Sequence, residues 1–267
     1  QLRPEADHEQ NFVKSLVEHY KIPFHYKTAK HLKPGHAGLQ ETARKWRTKE
    51  SIKILKKIGA DCIATGHHAD DQTETLLLKW LRGTHISNLQ GMLWKNPPFI
   101  RPLLNCRKKE LKQYLQSNKF SWMEDSTNLS STYLRNRVRM ELIPLLNELT
   151  REGLDSRISD LNDQSSLLRE WLDKEYTKWS VATRSAESIY DCKISLDELE
   201  KVNRLLQEEI IYKFITTKTN IELSYKNLRN IFELLISENN HWEYTLSEEW
   251  ELVNSGNELS LRNKPKS

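Results

Sequence analysis

The residues most capable of chemistry stand together in one short run of the sequence. The run is Gly66-His67-His68-Ala69-Asp70-Asp71-Gln72-Thr73-Glu74-Thr75. On a helix, Glu74 lies three residues after Asp71 and four after Asp70, which places the three carboxylates on one side of the first turns. Each acid would be stabilised by ~0.3–1 kcal/mol through the helix macrodipole, so capping of the helix N-terminus is one explanation for the three acids. The adjacent histidine pair is not needed for capping and favours a ligand site, and a metal site with His and Asp ligands is a further interpretation.

The elements around this run place it at a sheet edge that commonly binds ligands. Residues 61–66 are a short apolar run closed by glycine, typical of a buried parallel strand, and a helix is predicted over 70–83. Open α/β sheets bind ligands where the carboxyl end of a strand meets the next helix. Upstream, the apolar spacing predicts helices over 9–20 and 39–57 and a strand over 22–27. The alternation predicts an α/β domain with a parallel sheet.

Two groups of arginines have spacings suited to binding phosphate. Arg44 and Arg47 lie three residues apart on the second predicted helix, where they could form bidentate contacts with phosphate oxygens. Three more arginines alternate along residues 135–139 of a later predicted helix. A solvated basic face, or pairing of the later arginines with Glu141, explains the same residues without a ligand.

Charge is distributed unevenly along the chain. Residues 1–150 contain 25 Lys and Arg against 15 Asp and Glu, whereas residues 151–267 contain 16 against 22, so the overall charge of +4 combines a basic part and an acidic part. A basic part with interleaved aromatic residues fits a polyanionic partner such as a nucleic acid. A lysine-rich solvated surface is the alternative explanation.

Several classes of protein are excluded by composition. The three cysteines, Cys62, Cys106 and Cys192, are far apart and form no C-x-x-C pair, which disfavours a disulfide framework, an iron–sulfur cluster and a zinc ribbon and indicates a reducing compartment. No stretch approaches the ~18 consecutive apolar residues that a membrane helix needs.

The second half of the chain predicts a different organisation. Residues 84–105 contain three prolines and are predicted as a loop. Helices are predicted over 107–116, 133–149 with a kink at Pro144, 155–180, 196–216 and 223–237. YTL and ELV segments, an Asn254-Ser255-Gly256-Asn257 turn and the alternating run ELSLR follow, and together they predict a β-hairpin. We therefore predict three parts: an α/β domain over 1–150, a helical linker over 151–189, and a small α+β domain over 190–267.

The glycines contain no phosphate-binding loop. The eight glycines never form a G-x-G or G-G cluster, so a loop of the kind that cradles nucleotide phosphates is not present. The chain also begins at Gln1 without an initiator methionine. We expect the chain to be a fragment or an N-terminally truncated form, with any triphosphate loop upstream of Gln1.

Six segments together resemble a known family. They are LRPEAD (2–7), GLQETARKWR (38–47), GADCIATGHHADDQTETLLLKWLRG (59–83), IRPLL (100–104), WMEDSTN (122–128) and RNRVRMELIPLL (135–146). In this order they resemble the tRNA(Ile)-lysidine synthetases of the PP-loop ATP pyrophosphatase superfamily. The resemblance implies a Rossmann-like parallel-sheet PP-loop domain, here without its first strands and its SGGxDS loop. Residues 190–267 resemble the family's small C-terminal domain, which would bind tRNA, only in size and pattern.

The resemblance implies a two-step reaction. ATP adenylates the C2 carbonyl of the wobble cytidine in an isoleucine tRNA with a CAU anticodon, and the ε-amine of L-lysine then displaces AMP to form lysidine. Asp71 and Glu74 match the acids of the lysine site, and Arg47 and Arg139 match arginines near the triphosphate and the reaction centre. The following match substrate- or ATP-proximal positions: Gly66, His67, Asp70, Arg44, Arg135 and Arg137.

The same resemblance sets the expected partners and alternatives. It implies ATP with Mg²⁺, tRNA and L-lysine, no protein-bound metal and no membrane, in the cytoplasm or in a plastid stroma, and it leaves a homodimer open. A tRNA thiolase of the same superfamily is one alternative, although its cluster-dependent members use C-x-x-C cysteines. A non-catalytic tRNA-binding module is another, since the triphosphate loop is not in this sequence.

Overall fold

A computed structural model describes residues 6–29, 39–124, 134–151, 153–183, 193–221, 223–237 and 239–264. The chain forms two compact units, one of residues 1–72 and 93–130 and the other of residues 73–92 and 131–267. Parts of the family-like segments, namely residues 2–5, 38 and 125–128, and the predicted domain boundary at 189–190, lie outside the described residues.

The first unit combines helices with a small sheet. Its elements are α1 (Ala6–His19), α2 (Leu39–Ile58), β1 (Ile63–Ala64), the start of α3 (Ala69–Leu81), β2 (Lys95–Asn96), β3 (Phe99–Ile100) and α4 (Lys108–Ser117). β1 pairs in parallel with β3, Ile63 opposite Phe99, and β3 pairs antiparallel with β2. The predicted parallel strand within 61–66 is therefore confirmed. The ends of α2 and α3 are followed by Gly59 and Gly83, both at positive φ.

The predictions for residues 22–27 and 84–105 are wrong. Residues 22–27 form no strand, because no strand among the described residues supplies backbone hydrogen bonds to them; Ile22 and Tyr26 are exposed. Residues 84–105 are more than a loop, since they contain a short 3-10 turn and strands β2 and β3. Two of the three prolines that suggested a loop, Pro97 and Pro98, form the turn between these two strands.

The second unit contains most of α3 and a second group of elements. These are a 3-10 turn (Ile86–Asn88), α5 (Leu134–Arg137), a π-helical turn (Val138–Leu142), α6 (Ile143–Leu149), α7 (Leu154–Ala182), β4 (Lys193–Ser195), α8 (Leu196–Glu200), α9 (Arg204–Thr219), α10 (Tyr225–Ile236), β5 (His241–Thr245), β6 (Trp250–Ser255) and β7 (Glu258–Asn263). The predicted kink at Pro144 takes the form of the π turn just before it. Proline lacks an N–H and crowds the carbonyl four residues earlier, which widens the helix there.

The C-terminal part is held by an extended apolar core. α9 and α10 pack with β4, β6 and β7 through fully buried side chains, among them Ile211, Leu228 and Leu259. The strands form an antiparallel sheet in the order β4-β7-β6-β5. This confirms the predicted hairpin, whose segments lie in β5, β6 and β7, and adds β4 to it. The helix predicted over 196–216 is two helices. The second begins at its N-cap Asn203, whose side chain accepts the Leu206 N–H at 3.0 Å.

A second, smaller core positions the middle of α3. Leu77 and Leu78 pack against Val138 of the π turn, with Leu142 and Leu146 beside them. This contact brings α3 against the helical segment 134–149. Among the helices of the described residues, none is long and apolar enough to cross a membrane.

Candidate active site

The start of α3 is fixed by its own acids. The backbone N–H of His68, the residue before the helix, donates to Oδ2 of Asp71 at 3.0 Å. An acid at the third helical position that accepts this N–H is half of a capping box. The Asp71 side chain is 13% exposed. Asp71 therefore caps the start of α3, as the capping interpretation predicts. A role of Asp71 in binding a ligand stays a prediction.

Asp70 links α3 to α4. Its Oδ2 accepts the backbone N–H of Lys108, the first residue of α4, at 2.8 Å. The same oxygen lies 3.3 Å from Nδ1 of His68, and Nε2 of His68 lies 3.5 Å from Oδ2 of Asp71. The contact with His68 lowers the pKa of Asp70 to about 2, and the contact with Asp70 raises the pKa of His68. His68 therefore lies between the carboxylates of Asp70 and Asp71 at the beginning of the helix.

His67 and Gly66 lie between β1 and α3. Nδ1 of His67 is 2.9 Å from the hydroxyl oxygen of Thr65, whose backbone N–H donates to the carbonyl of Ile100 in β3. Gly66 is exposed, and a Cβ at this position would meet open space. His67 is therefore oriented by the end of the sheet.

Glu74 is held between two arginines. Its Oε1 accepts a hydrogen bond from Nε of Arg139 at 2.5 Å, and its Oε2 accepts from Nη2 of Arg139 at 3.0 Å and from Nε of Arg135 at 2.6 Å. Glu74 is only 1% exposed. A buried carboxylate is stable when it is paired and hydrogen-bonded in this way.

The sequence contains a signal for the burial of Glu74 beside cationic partners. Glu74 shares a helix face with Leu77 and Leu78, three and four residues later, and a charged residue on a core-facing stripe needs a buried partner. Arg135 and Arg139 flank Val138, which packs on the same two leucines. Glu141, the partner suggested by sequence, pairs instead with Arg137 at 2.9 Å.

The remaining predicted arginines are exposed. Arg44 is paired with Glu41 of the same helix at 2.9 Å, and Arg47 is exposed one turn later on α2. Arg137 is likewise exposed and paired with Glu141. The structure therefore brings together Glu74, Arg135 and Arg139 in one unit, and Asp70 and Asp71 through His68 in the other. No group of three His, Cys, Asp or Glu side chains suited to holding a metal ion occurs among the described residues.

Comparison with known proteins defines the class. The family model described as the PP-loop domain matches residues 1–146, and the chain belongs to the PP-loop family. That match covers both the acids of α3 and the arginines of residues 135–139.

Within this class, the similar curated proteins carry the name tRNA(Ile)-lysidine synthase. One from Nostoc sp. is 30% identical over 88% of this chain and 71% of its own length. One from Enterococcus faecalis is 28% identical over 99% of this chain and 58% of its own length, and one from Bacteroides thetaiotaomicron is 33% identical over 65% and 42%. The chain spans about half the length of the curated relatives it matches.

Proposed function

We propose that this chain carries the catalytic domain of a tRNA-modifying ligase. It would join L-lysine to C2 of the wobble cytidine of a tRNA(Ile) with a CAU anticodon and convert ATP to AMP and pyrophosphate. The observation that most directly supports this proposal is the first turn of α3, which contains Asp70 and Asp71. This turn follows the carboxyl end of the parallel strand β1, within the segment that matches the PP-loop family. The names of the relatives support the choice of lysidine as the product.

In the first step, the C2 oxygen of cytidine attacks the α-phosphorus of ATP, and pyrophosphate leaves. Negative charge develops on the phosphoryl oxygens, and positioned guanidinium groups stabilise such charge. Arg139 and Arg47 are assigned this role. Mg²⁺ is expected to accompany ATP, as a counter-ion for its phosphates.

In the second step, the lysine ε-amine attacks C2, the C2–O bond breaks, and AMP leaves. Lysine arrives as an ammonium ion, so a carboxylate must hold it and accept a proton from it before the amine can attack. Both Asp71 and Glu74 have suitable chemistry. We assign the ammonium contact to Asp71, because both oxygens of Glu74 already accept hydrogen bonds from arginines.

The proposed partners follow from this reaction. The tRNA would contact the basic part of the chain, and the enzyme would work in the cytoplasm or stroma where tRNA is matured. A cluster-dependent thiolase is disfavoured by the widely spaced cysteines of the sequence.

The proposal is tested with the protein from its complete reading frame and two tRNA transcripts. Radiolabelled lysine should enter a tRNA(Ile) transcript with a CAU anticodon only when ATP is present. The matched transcript with uridine at the wobble position should take up none. Binding of both transcripts without incorporation would instead support a non-catalytic tRNA-binding module.

A further inference from the structure

We propose that Trp94 and Arg101 form a contact site for an unpaired nucleotide of the tRNA, next to the wobble cytidine. Trp94 would stack on the base of this nucleotide, and Arg101 would bind a phosphate beside it. This inference rests on the proposed function, because it takes tRNA as the substrate. Neither residue belongs to the lysine or triphosphate positions that the family resemblance implies.

The pairing of β2 with β3 places the two residues side by side. β2 is antiparallel to β3, and Lys95 lies opposite Ile100. The next pair along the ladder is Trp94 and Arg101, since the backbone N–H of Arg101 donates to the carbonyl of Trp94 at 2.9 Å. Residues directly opposite on antiparallel strands have side chains on the same face, with Cβ atoms ~4.5–5.5 Å apart. Trp94 and Arg101 are therefore neighbours on one face of the sheet.

The same row of the sheet continues to the strand that leads into α3. β1 is parallel to β3, and the backbone N–H of Thr65 donates to the carbonyl of Ile100 at 3.0 Å, which places Thr65 beside Arg101. The hydroxyl of Thr65 is in turn 2.9 Å from Nδ1 of His67. Neighbouring strands lie ~4.8 Å apart, so Trp94 is roughly 10 Å from Thr65. A nucleotide next to the wobble cytidine could therefore contact Trp94 while the cytidine lies at the start of α3.

The guanidinium group of Arg101 is suited to an anion. Its Nη1 donates to the carbonyl of Leu93 at 2.6 Å, which holds the side chain at the start of β2. Its Nε is buried and makes no hydrogen bond within the described part of the chain. Burial lowers the pKa of the Arg101 guanidinium. A partly buried cation is most stable beside a counter-charge, and a phosphate group would supply one.

Trp94 presents an aromatic surface to solvent beside this cation. Its exposed fraction is 54%, although tryptophan is on average a highly buried residue. Lys95, the next residue, is exposed as well. Proteins that bind single-stranded RNA stack unpaired bases on aromatic side chains and contact the adjoining phosphates with cationic ones. An aromatic group and a cation on one face thus fit an unpaired nucleotide of an anticodon loop.

The stacking contact is tested by the affinity of the protein from its complete reading frame for a tRNA(Ile) transcript with a CAU anticodon. We expect Trp94→Ala to raise the Kd roughly 5- to 150-fold, the loss of one base–aromatic stack, and Trp94→Phe to keep it within about threefold. Trp171→Ala is the matched control and should bind like the wild type, since Trp171 is also exposed, at 43%, but lies on α7. An unchanged Kd in Trp94→Ala would overturn the inference.

Removal of the base from the RNA shows whether Trp94 acts through stacking. Two transcripts are prepared, each without the base at one of the nucleotides that flank the wobble cytidine. One of them should bind the wild type more weakly by the factor seen for Trp94→Ala. The same transcript should bind Trp94→Ala as well as the intact transcript does, because both changes remove one contact. Losses that multiply for both transcripts would contradict the inference.

The phosphate contact is tested by the salt dependence of binding. Arg101→Gln should lower the slope of log Kd against log salt concentration by ~0.7, the value for one phosphate contact on a single strand, whereas Trp94→Ala should keep the wild-type slope. Arg229→Gln, which removes an exposed ion pair with Glu233 on α10, should keep both the slope and the Kd. A wild-type slope in Arg101→Gln would overturn the assignment of Arg101. Trp94 is exposed, so its variants decide the proposal even if Arg101→Gln does not fold.

Lysine incorporation separates this inference from the proposed function. A wild-type protein that binds the transcript through Trp94 but incorporates no lysine would refute the proposed function and support the RNA contact. A wild-type protein that forms lysidine, together with an unchanged tRNA affinity in Trp94→Ala, would refute the RNA contact alone.

Discussion

Asp71→Asn separates the two interpretations of this acid, a helix cap and a ligand for lysine. In the protein, Oδ2 of Asp71 accepts the His68 N–H at 3.0 Å. Asparagine retains an amide oxygen that can accept the same bond, so the melting temperature should change little. The negative charge is lost, and with it a charge-assisted bond to the lysine ammonium of ~1.5–3 kcal/mol.

This free energy corresponds to an increase in the lysine KM of roughly 10- to 150-fold. The assay is lysine-dependent turnover at saturating ATP and tRNA, with adenylated tRNA measured in parallel. Adenylation consumes no lysine, so the adenylated intermediate should accumulate. Asp71→Ala is the matched variant, since it loses the cap as well and should lower the free energy of unfolding by ~0.5–2 kcal/mol. An unchanged lysine KM in Asp71→Asn would show that the residue is only a cap.

Four further predictions concern stability and binding. The raised pKa of His68 means that its contribution to stability is complete below pH ~6.5 and is lost as the pH rises through the folded-state pKa, so His68→Gln should lower the melting temperature more at pH 6 than at pH 9. Asp70→Asn should show the opposite pH dependence. It should lower the melting temperature at pH 7, and this effect should vanish near the folded-state pKa of about 2, where Asp70 itself becomes protonated. His85→Leu should lower the free energy of unfolding in urea by roughly 1–3 kcal/mol, because the buried imidazole lies 2.7 Å from the Ser87 hydroxyl and 3.6 Å from Glu208; no loss would show that these contacts are dispensable. Affinity for tRNA should fall roughly 10-fold or more between 50 and 200 mM salt, as the neutralisation of two or more phosphates implies, and a salt-independent affinity would contradict an electrostatic interface.

Much of the framework around α3 was predictable because its signals are local. The apolar run that ends at Gly66 predicts the parallel strand, and the acids and glycine that bound α3 predict its ends. The Asn254-Ser255-Gly256-Asn257 segment likewise predicts the turn between β6 and β7, with Gly256 at a φ of +91°.

The features that the sequence did not predict depend on tertiary contacts. β3 is two residues long, too short for a periodic pattern, and exists because β1 and β2 pair with it. His85 lies in a loop as predicted, but its full burial and its stacking on Tyr212 were not predicted, because both depend on helix α9, more than a hundred residues later. The pairing of Glu74 with Arg135 and Arg139 spans about sixty residues of chain and follows from the packing of Leu77 and Leu78 on Val138.

We propose that this protein forms lysidine, and the mass of the product nucleoside tests this proposal most directly. The protein from its complete reading frame is incubated with ATP, L-lysine and a tRNA(Ile) transcript with a CAU anticodon, and the tRNA is digested to nucleosides for mass spectrometry. We predict an ATP-dependent nucleoside with the mass of cytidine plus lysine minus water, at the wobble position alone. An unmodified wobble cytidine, or one that carries sulfur in place of lysine, would contradict the claim.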